Sequence, residues 1–160
     1  MTDSGPSERR PVSLQVMAPR GIAAVRARLP LARVSASFAN YLNQVYAAGR
    51  DGDVLLDGQN IFVYRDAGAG CGDDVDVEFA VGVRAAFTSS GPVMYSATPA
   101  GEVATTTHWG DYAKLGDAHA AVIAWCTANN RERTGTRWEV YGHWVDDPSQ
   151  LRTDVYYLLR

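Results

Sequence analysis

Cysteine, lysine and histidine are all scarce in this chain. Among 160 residues there are 2 cysteines, Cys71 and Cys126, and 3 histidines, while Lys114 is the sole lysine. The two cysteines have neither the paired spacing of a disulfide scaffold nor that of a zinc site, so two free thiols are expected. His108, His119 and His143 lack metal-ligand spacing with one another or with carboxylates, and each reads as a surface or satisfied histidine. A net charge of −3 with no basic face argues against nucleic-acid binding. No apolar run approaches the roughly 20 residues needed to span a bilayer. The polar segment 1–10 lacks the apolar core of a signal peptide. A cytoplasmic protein with no membrane partner and no metal or cofactor is the expectation.

Other patterns also reduce to ordinary packing or solvation. Cys126 falls on the apolar side of an expected helix. Cys71 lies in the loop Gly68-Ala69-Gly70-Cys71-Gly72, where no histidine or helix cue supports a nucleophile, and those glycines match no phosphate-binding pattern. Asp73, Asp74, Asp76 and Glu78 suggest a cation site at first sight, but strand alternation puts Asp76 and Glu78 on one solvated face.

A hydrophobic fraction of 46% with 21% charged residues fits a single folded domain with a sizeable core. Residues 1–11 read as a disordered lead-in and 12–160 as the domain, with a monomer or weak dimer expected. That domain is written twice. Laying Gly21 on Gly101 brings Leu42 onto Val122, Val45 onto Trp125, Tyr64 onto Tyr141 and Glu78 onto Asp154.

In the first copy, about 12–84, residues 12–17 and 22–28 alternate as strands. Val34, Phe38, Leu42 and Val45 then recur at helical spacing, with Ala48-Gly49 as the expected C-cap. Strands over 61–65 and 75–83 complete the unit. In the second copy, about 93–160, strands are expected over 93–97 and 103–108. Leu115, Ala118, Val122 and Trp125 mark the helix, with Asp111 near its N-terminus. The closing hairpin spans 138–145 and 152–159 and turns at Asp146-Asp147-Pro148. Residues 84–92 join the copies. The fold class is α+β, built from duplicated strand–helix–strand–strand units with pseudo-two-fold symmetry. One curved antiparallel sheet would carry two helices on one face and a ligand groove on the other.

The chain is rich in aromatics, with 4 Trp, 8 Tyr and 4 Phe. Several gather in the segment 136–144, which sets the single carboxylate of Glu139 among Trp138, Val140, Tyr141 and Trp144. Alternation alone would account for one polar residue there. Aromatic faces around one anion also suit a flat, lipophilic, often cationic ligand. On alternation Glu139, Tyr141 and His143 share one face, and Trp138 and Trp144 the other, so at least one of these tryptophans should be core against a helix.

The order Gly101…His108-Trp109-Gly110-Asp111-Tyr112, a helix to Trp125, Trp138-Glu139-Val140-Tyr141 and finally Asp147-Pro148 resembles the GyrI-like small-molecule-binding domain. That domain also serves as the effector-binding module of bacterial AraC- and MerR-type multidrug regulators. The resemblance covers nearly the whole chain from about Val12 and is more distinctive in the second half. It implies a site between the repeats that holds lipophilic, often cationic compounds. Glu139 matches the family's acidic position, Tyr141 the aromatic two residues later, and Tyr112 the tyrosine of the turn before the helix. Tyr64 holds the place of Tyr141 in the first repeat, while Phe62 stands where Glu139 would. Trp109, Trp138 and Trp144 offer further aromatic faces. The short segment before the first strand leaves no room for a helix-turn-helix, so a stand-alone binding or sequestering protein is expected.

Two alternatives stay open through the same resemblance. Some relatives hydrolyse electrophilic cyclopropane-bearing toxins, and here Glu139 would be the base with Tyr141 or Tyr112 positioning the substrate. Founding relatives include an inhibitor of DNA gyrase, which makes a protein target such as gyrase conceivable through the acids around 73–78.

Overall fold

A computed structural model of the protein describes residues 11–65, 74–89 and 91–160. The Gly-rich loop with Cys71, Asp73 and nearly all of the N-terminal lead-in lie outside the described residues. The elements run in two matching sets. β1 (Ser13–Met17), β2 (Gly21–Pro30), α1 (Val34–Arg50), β3 (Leu56–Arg65) and β4 (Asp74–Val83) form the first. β5 (Met94–Ala97), β6 (Gly101–Trp109), α2 (Leu115–Ala128), β7 (Arg133–Tyr141) and β8 (Arg152–Leu159) form the second.

All the strands join one eight-stranded sheet in the order β1-β6-β8-β7-β3-β4-β2-β5. Each set lends its first strand to the other: β1 pairs with β6 and β5 with β2, both antiparallel. The order therefore reads the same from either end once the copies are exchanged. The pseudo-two-fold axis falls between β3 and β7. There Phe62, the counterpart of Glu139, is its direct register partner.

The helices lie on one face. Val34, Leu42 and Val45 of α1 pack on Ala23, Val25, Phe79 and Val81. Leu115, Ala118, Val122 and Cys126 of α2 pack on Ala104, Val155, Tyr157 and Leu159. The α2 C-terminus closes in a Schellman-type turn. Asn130 adopts φ 54 and the Arg131 N–H reaches the Cys126 carbonyl at 2.9 Å. The α1 helix runs to Arg50, past the expected cap at Ala48-Gly49, and Gly52 at φ 84 makes the turn instead. Gly49 is glycine for another reason: a Cβ there would meet Leu56 Cδ1 at 2.6 Å.

The opposite face is packed solid. Ile22, Ala24, Ile61, Val63, Ala80, Val103, Trp138 and Val140 form its core, and Met17 and Met94 reach the same cluster from the two edge strands. Both edges touching one cluster means that the sheet curls around it, although β1 and β5 do not pair and the curl stays open. Trp138, 2% exposed, fills this interior and stacks on Tyr156 at 5.1 Å. Burying one tryptophan removes about 150–250 Å² from water, roughly 4–6 kcal/mol of hydrophobic stabilisation. Trp138 is thus core, but against the curl and not against a helix.

The same curl corrects the reading of Glu78, which is 1% exposed and not solvated. Even-numbered β4 residues point into the curl, and at its end Arg65 grips Glu78 Oε1 while Arg26 lies 3.7 Å from Oε2. The Arg65 guanidinium also donates to the Ala97 carbonyl at 2.7 Å, which fixes it over the carboxylate. With Glu78 turned inward, the acidic surface invoked for a protein partner loses one of its members.

Candidate functional site

A groove of about 700 Å³ opens on the helix-bearing face, between α1 and the turn that leads into α2. Its floor is the central strand pair, with Phe62 and Tyr64 from β3 and Glu139 and Tyr141 from β7. Leu31, Val34, Ser35 and Phe38 form one wall; Tyr112 and Leu115 form the other. Tyr46, Gly58, Asn60, His143 and Trp144 line it as well. The expected groove between the repeats therefore exists, but it shares its face with the helices. The inner face of the curl is filled by side chains and leaves no space for it.

Local sequence explains how each wall is placed. Asp111 accepts a hydrogen bond from the Ala113 N–H at 2.9 Å, capping the 3-10 turn that presents Tyr112. Gly58, at φ 83, sits where the register of β3 slips between Leu56 and Asn60, and His143 lies 3.8 Å from where its Cβ would be. β7 stops at Tyr141, short of the expected 145, and the Gly142 N–H bonds the Arg152 carbonyl at 2.8 Å. A Cβ at Gly142 would sit 3.1 Å from that same oxygen. Alternation ends there, so Trp144 no longer shares a face with Trp138. It leans 6.4 Å from the Tyr112 ring and is 70% exposed.

The aromatic floor is continuous. Phe62 meets Tyr141 at 5.0 Å, Phe79 at 5.1 Å and Phe38 at 5.7 Å, and Tyr112 stands edge-on to Tyr141 at 5.5 Å. In its midst Glu139 is 5% exposed. A carboxylate so far from water must be compensated, and two neighbours do so. The Tyr141 hydroxyl donates to Oε1 at 2.8 Å and His119 Nε2 lies 2.6 Å from Oε2. Tyr64 lies beside them on the groove floor, close enough to feel the charge of Glu139. Beyond His119, the Tyr157 hydroxyl is 2.6 Å from Nδ1.

Burial, and after it the charge of Glu139, pushes the Tyr64 and Tyr141 phenols well above the ordinary tyrosine range. Burial likewise pushes Tyr157 up to about 12. All three keep their protons at neutral pH. His119 faces the Tyr157 hydroxyl through Nδ1 and the Glu139 carboxylate through Nε2. The result is a chain from Tyr157 through His119 to Glu139, closed on the groove side by Tyr141.

Of the residues expected from sequence, Glu139, Tyr141, Tyr112, Tyr64, Phe62 and Trp144 come together here. Trp138 and Trp109 do not line the groove. Trp109, at the end of β6, is 57% exposed and carries the Arg152 guanidinium 5.6 Å over its ring. His119 is the partner that the sequence did not reveal. It stands one turn after Leu115 on α2, beside the stripe residue Ala118, so its helical spacing was the available signal. Phe38 and Leu31 reach the groove from the first repeat, and His143 from the segment after β7.

The chain belongs to the family of GyrI-like small molecule binding domains, whose model matches residues 10–160. Among solved structures it is similar to the C-terminal domain of EcmrR, at 18% identity over 94% of this chain and 98% of that one, with a TM-score of 0.73. It is also similar to SAV2435, solved bound to tetraphenylphosphonium, at 10% identity over 94% of each chain and a TM-score of 0.67. A hydrolase encoded by lin2189 from Listeria innocua has 11% identity over 94% of this chain and 92% of that one, with a TM-score of 0.56. At such identities these likenesses show the fold. No curated protein matches the chain by sequence. Among the described residues no helix is long and apolar enough to cross a membrane.

Proposed function

We propose that the groove binds lipophilic aromatic cations, with Glu139 as their counter-ion and Phe62, Tyr112 and Tyr141 as stacking faces. The observation that carries this reading is a buried carboxylate at the floor of an aromatic groove whose volume is in the range of drug-sized sites. Each cation–π contact contributes about 0.5–2 kcal/mol, depending on how dry it is. Recognition by stacking and a single charge is permissive, so unrelated dyes should bind with micromolar constants, and the protein would act by sequestering them. The tetraphenylphosphonium held by SAV2435 is a ligand of this chemical type.

Titration with rhodamine 6G or ethidium, with tetraphenylphosphonium as competitor, tests the reading on wild type and Glu139→Gln. Saturable binding that weakens selectively for cations in the variant supports it. Equal losses for cationic and neutral ligands, or no binding at all, would remove it.

A hydrolytic reading rests on the chain from Tyr157 through His119 to Glu139, which would hold the carboxylate in place as a base. Water attacking a strained cyclopropane carbon would give its proton to Glu139, and the opened bond's electron pair would pass to a conjugated carbonyl of the substrate, which takes up a proton. Turnover of such an electrophile, abolished in Glu139→Ala, would favour this reading over simple binding.

A further inference from the structure

Behind Glu139 lies a second cavity of about 410 Å³, which shares Leu31, Tyr64 and Glu139 with the main groove. The carboxylate is the partition. Oε1 is held on the groove side by Tyr141, and Oε2 by His119, which lines the second space. The two spaces differ in chemistry. The groove is aromatic, whereas the rear cavity counts Arg133, Arg137, His119 and Tyr157 in its lining.

Arg137 is the residue that the groove leaves unexplained. It is half-buried, two residues before Glu139 on the same face of β7, with its guanidinium carbon 4.6 Å over the Tyr64 ring. Elsewhere Arg20, Arg28, Arg65 and Arg131 each grip a carboxylate. Among the described residues neither Arg137 nor Arg133 has an acid within ion-pair distance or a hydrogen-bond acceptor. A guanidinium carries five donors in a planar fork, and stacking on a ring leaves the N–H edges available to an acceptor. A half-buried fork without an acceptor, at the wall of a cavity, is a poised anion site.

We infer that the rear cavity is an anion subsite. It takes the carboxylate or sulfonate of a ligand whose aromatic, cationic body lies in the main groove. The preferred ligand class is then the lipophilic zwitterion and not the simple cation. This specificity rests on the groove reading given above, while the anion subsite itself does not need it. The electrostatics agree. In the absence of an anion, Arg137 offsets part of the field that Glu139 presents to a cation, and a zwitterion satisfies both charges at once.

Rhodamine 19 and its ethyl ester rhodamine 6G share one xanthene body and differ in a free carboxylate. Both are titrated by fluorescence anisotropy against wild type, Arg137→Gln and Arg137→Lys, with circular dichroism as the check on folding. Arg137→Gln should weaken rhodamine 19 about tenfold and tighten rhodamine 6G about twofold, because the ester meets one fewer positive charge. Arg137→Lys keeps the charge and loses the fork, so it should weaken rhodamine 19 by a smaller factor. Parallel changes for both dyes would overturn the inference and leave the groove reading standing, as would binding of rhodamine 6G alone. If wild type binds neither dye, the groove reading fails, and calorimetry with 2-naphthalenesulfonate decides the subsite by itself. Saturable binding that Arg137→Gln weakens would uphold the subsite, and any other result would reject it.

Discussion

Replacing Tyr141 with Phe separates the two roles of the tyrosine that holds Glu139. The ring stays, and with it the contacts to Phe62 at 5.0 Å and Tyr112 at 5.5 Å, so no cavity forms. What goes is one hydroxyl that donates at 2.8 Å to a carboxylate only 5% exposed. Hydrogen bonds to charged groups contribute about 1.5–3 kcal/mol net. Because His119 still holds the carboxylate, the lower end applies, and the unfolding free energy should fall by about 1.5 kcal/mol. For a domain of this size that lowers the melting temperature by about 3–6 °C. The same change leaves Glu139 less satisfied in the free protein. An incoming cation then recovers what the hydroxyl supplied, and its affinity should rise by up to about tenfold, since 1.4 kcal/mol is a decade in binding. Urea denaturation and calorimetric titration with tetraphenylphosphonium measure the two effects. That cation has no hydrogen-bonding group, so it cannot miss the hydroxyl directly. A loss of stability accompanied by weaker tetraphenylphosphonium binding would refute the argument.

Trp138→Ala should cost about 3–5 kcal/mol because it empties the centre of the curl, while Trp138→Phe should fold and bind rhodamine 6G as wild type does; weakened binding would place Trp138 at the groove after all. Trp144→Ala, at a 70% exposed position, should change stability by about 0.5 kcal/mol or less, yet weaken dye binding at the mouth in an anisotropy titration. Stability should also decline in alkali. Tyr64, Tyr141 and Tyr157 titrate above the ordinary value of 10 in the fold, Tyr157 at about 12. The unfolded chain loses those protons first, so the folded state holds more protons and unfolding becomes easier as pH climbs above about 10. Urea midpoints that stay level between about pH 7 and pH 9 and then fall, with phenolate absorbance lagging behind that of free tyrosine, would match this sign. A rising midpoint would contradict it.

The repeat and both helices were legible because each half writes its apolar stripe at the same spacing. Glu139 and Tyr141 were legible because two residues along a strand must share a face. What alternation cannot say is which face the helices cover, and Trp138 went to the curl for that reason. Nor does it say where alternation stops. Gly142 ends β7, and so Trp144 turns away from Trp138. Glu78 misled for a related cause: a polar residue every second position looks solvated until the sheet bends inward over it. His119 belongs to another element altogether. Only the packing of α2 on β6 and β8 brings its ring between Glu139 and Tyr157.

The axis of pseudo-symmetry has a consequence for how a duplicated chain can carry this site. Phe62 and Glu139 are counterparts in the two copies and also partners across adjacent strands. Had both copies kept the acid, two carboxylates would oppose each other in a dry groove, where like charges cannot both ionise without cost. A single proton would have to be shared between them, so the pair would carry one negative charge with no fixed seat. Doubling the half-domain therefore cannot double the charge. One copy has to surrender its acid, and the aromatic that takes its place gives every ligand a distinguishable left and right.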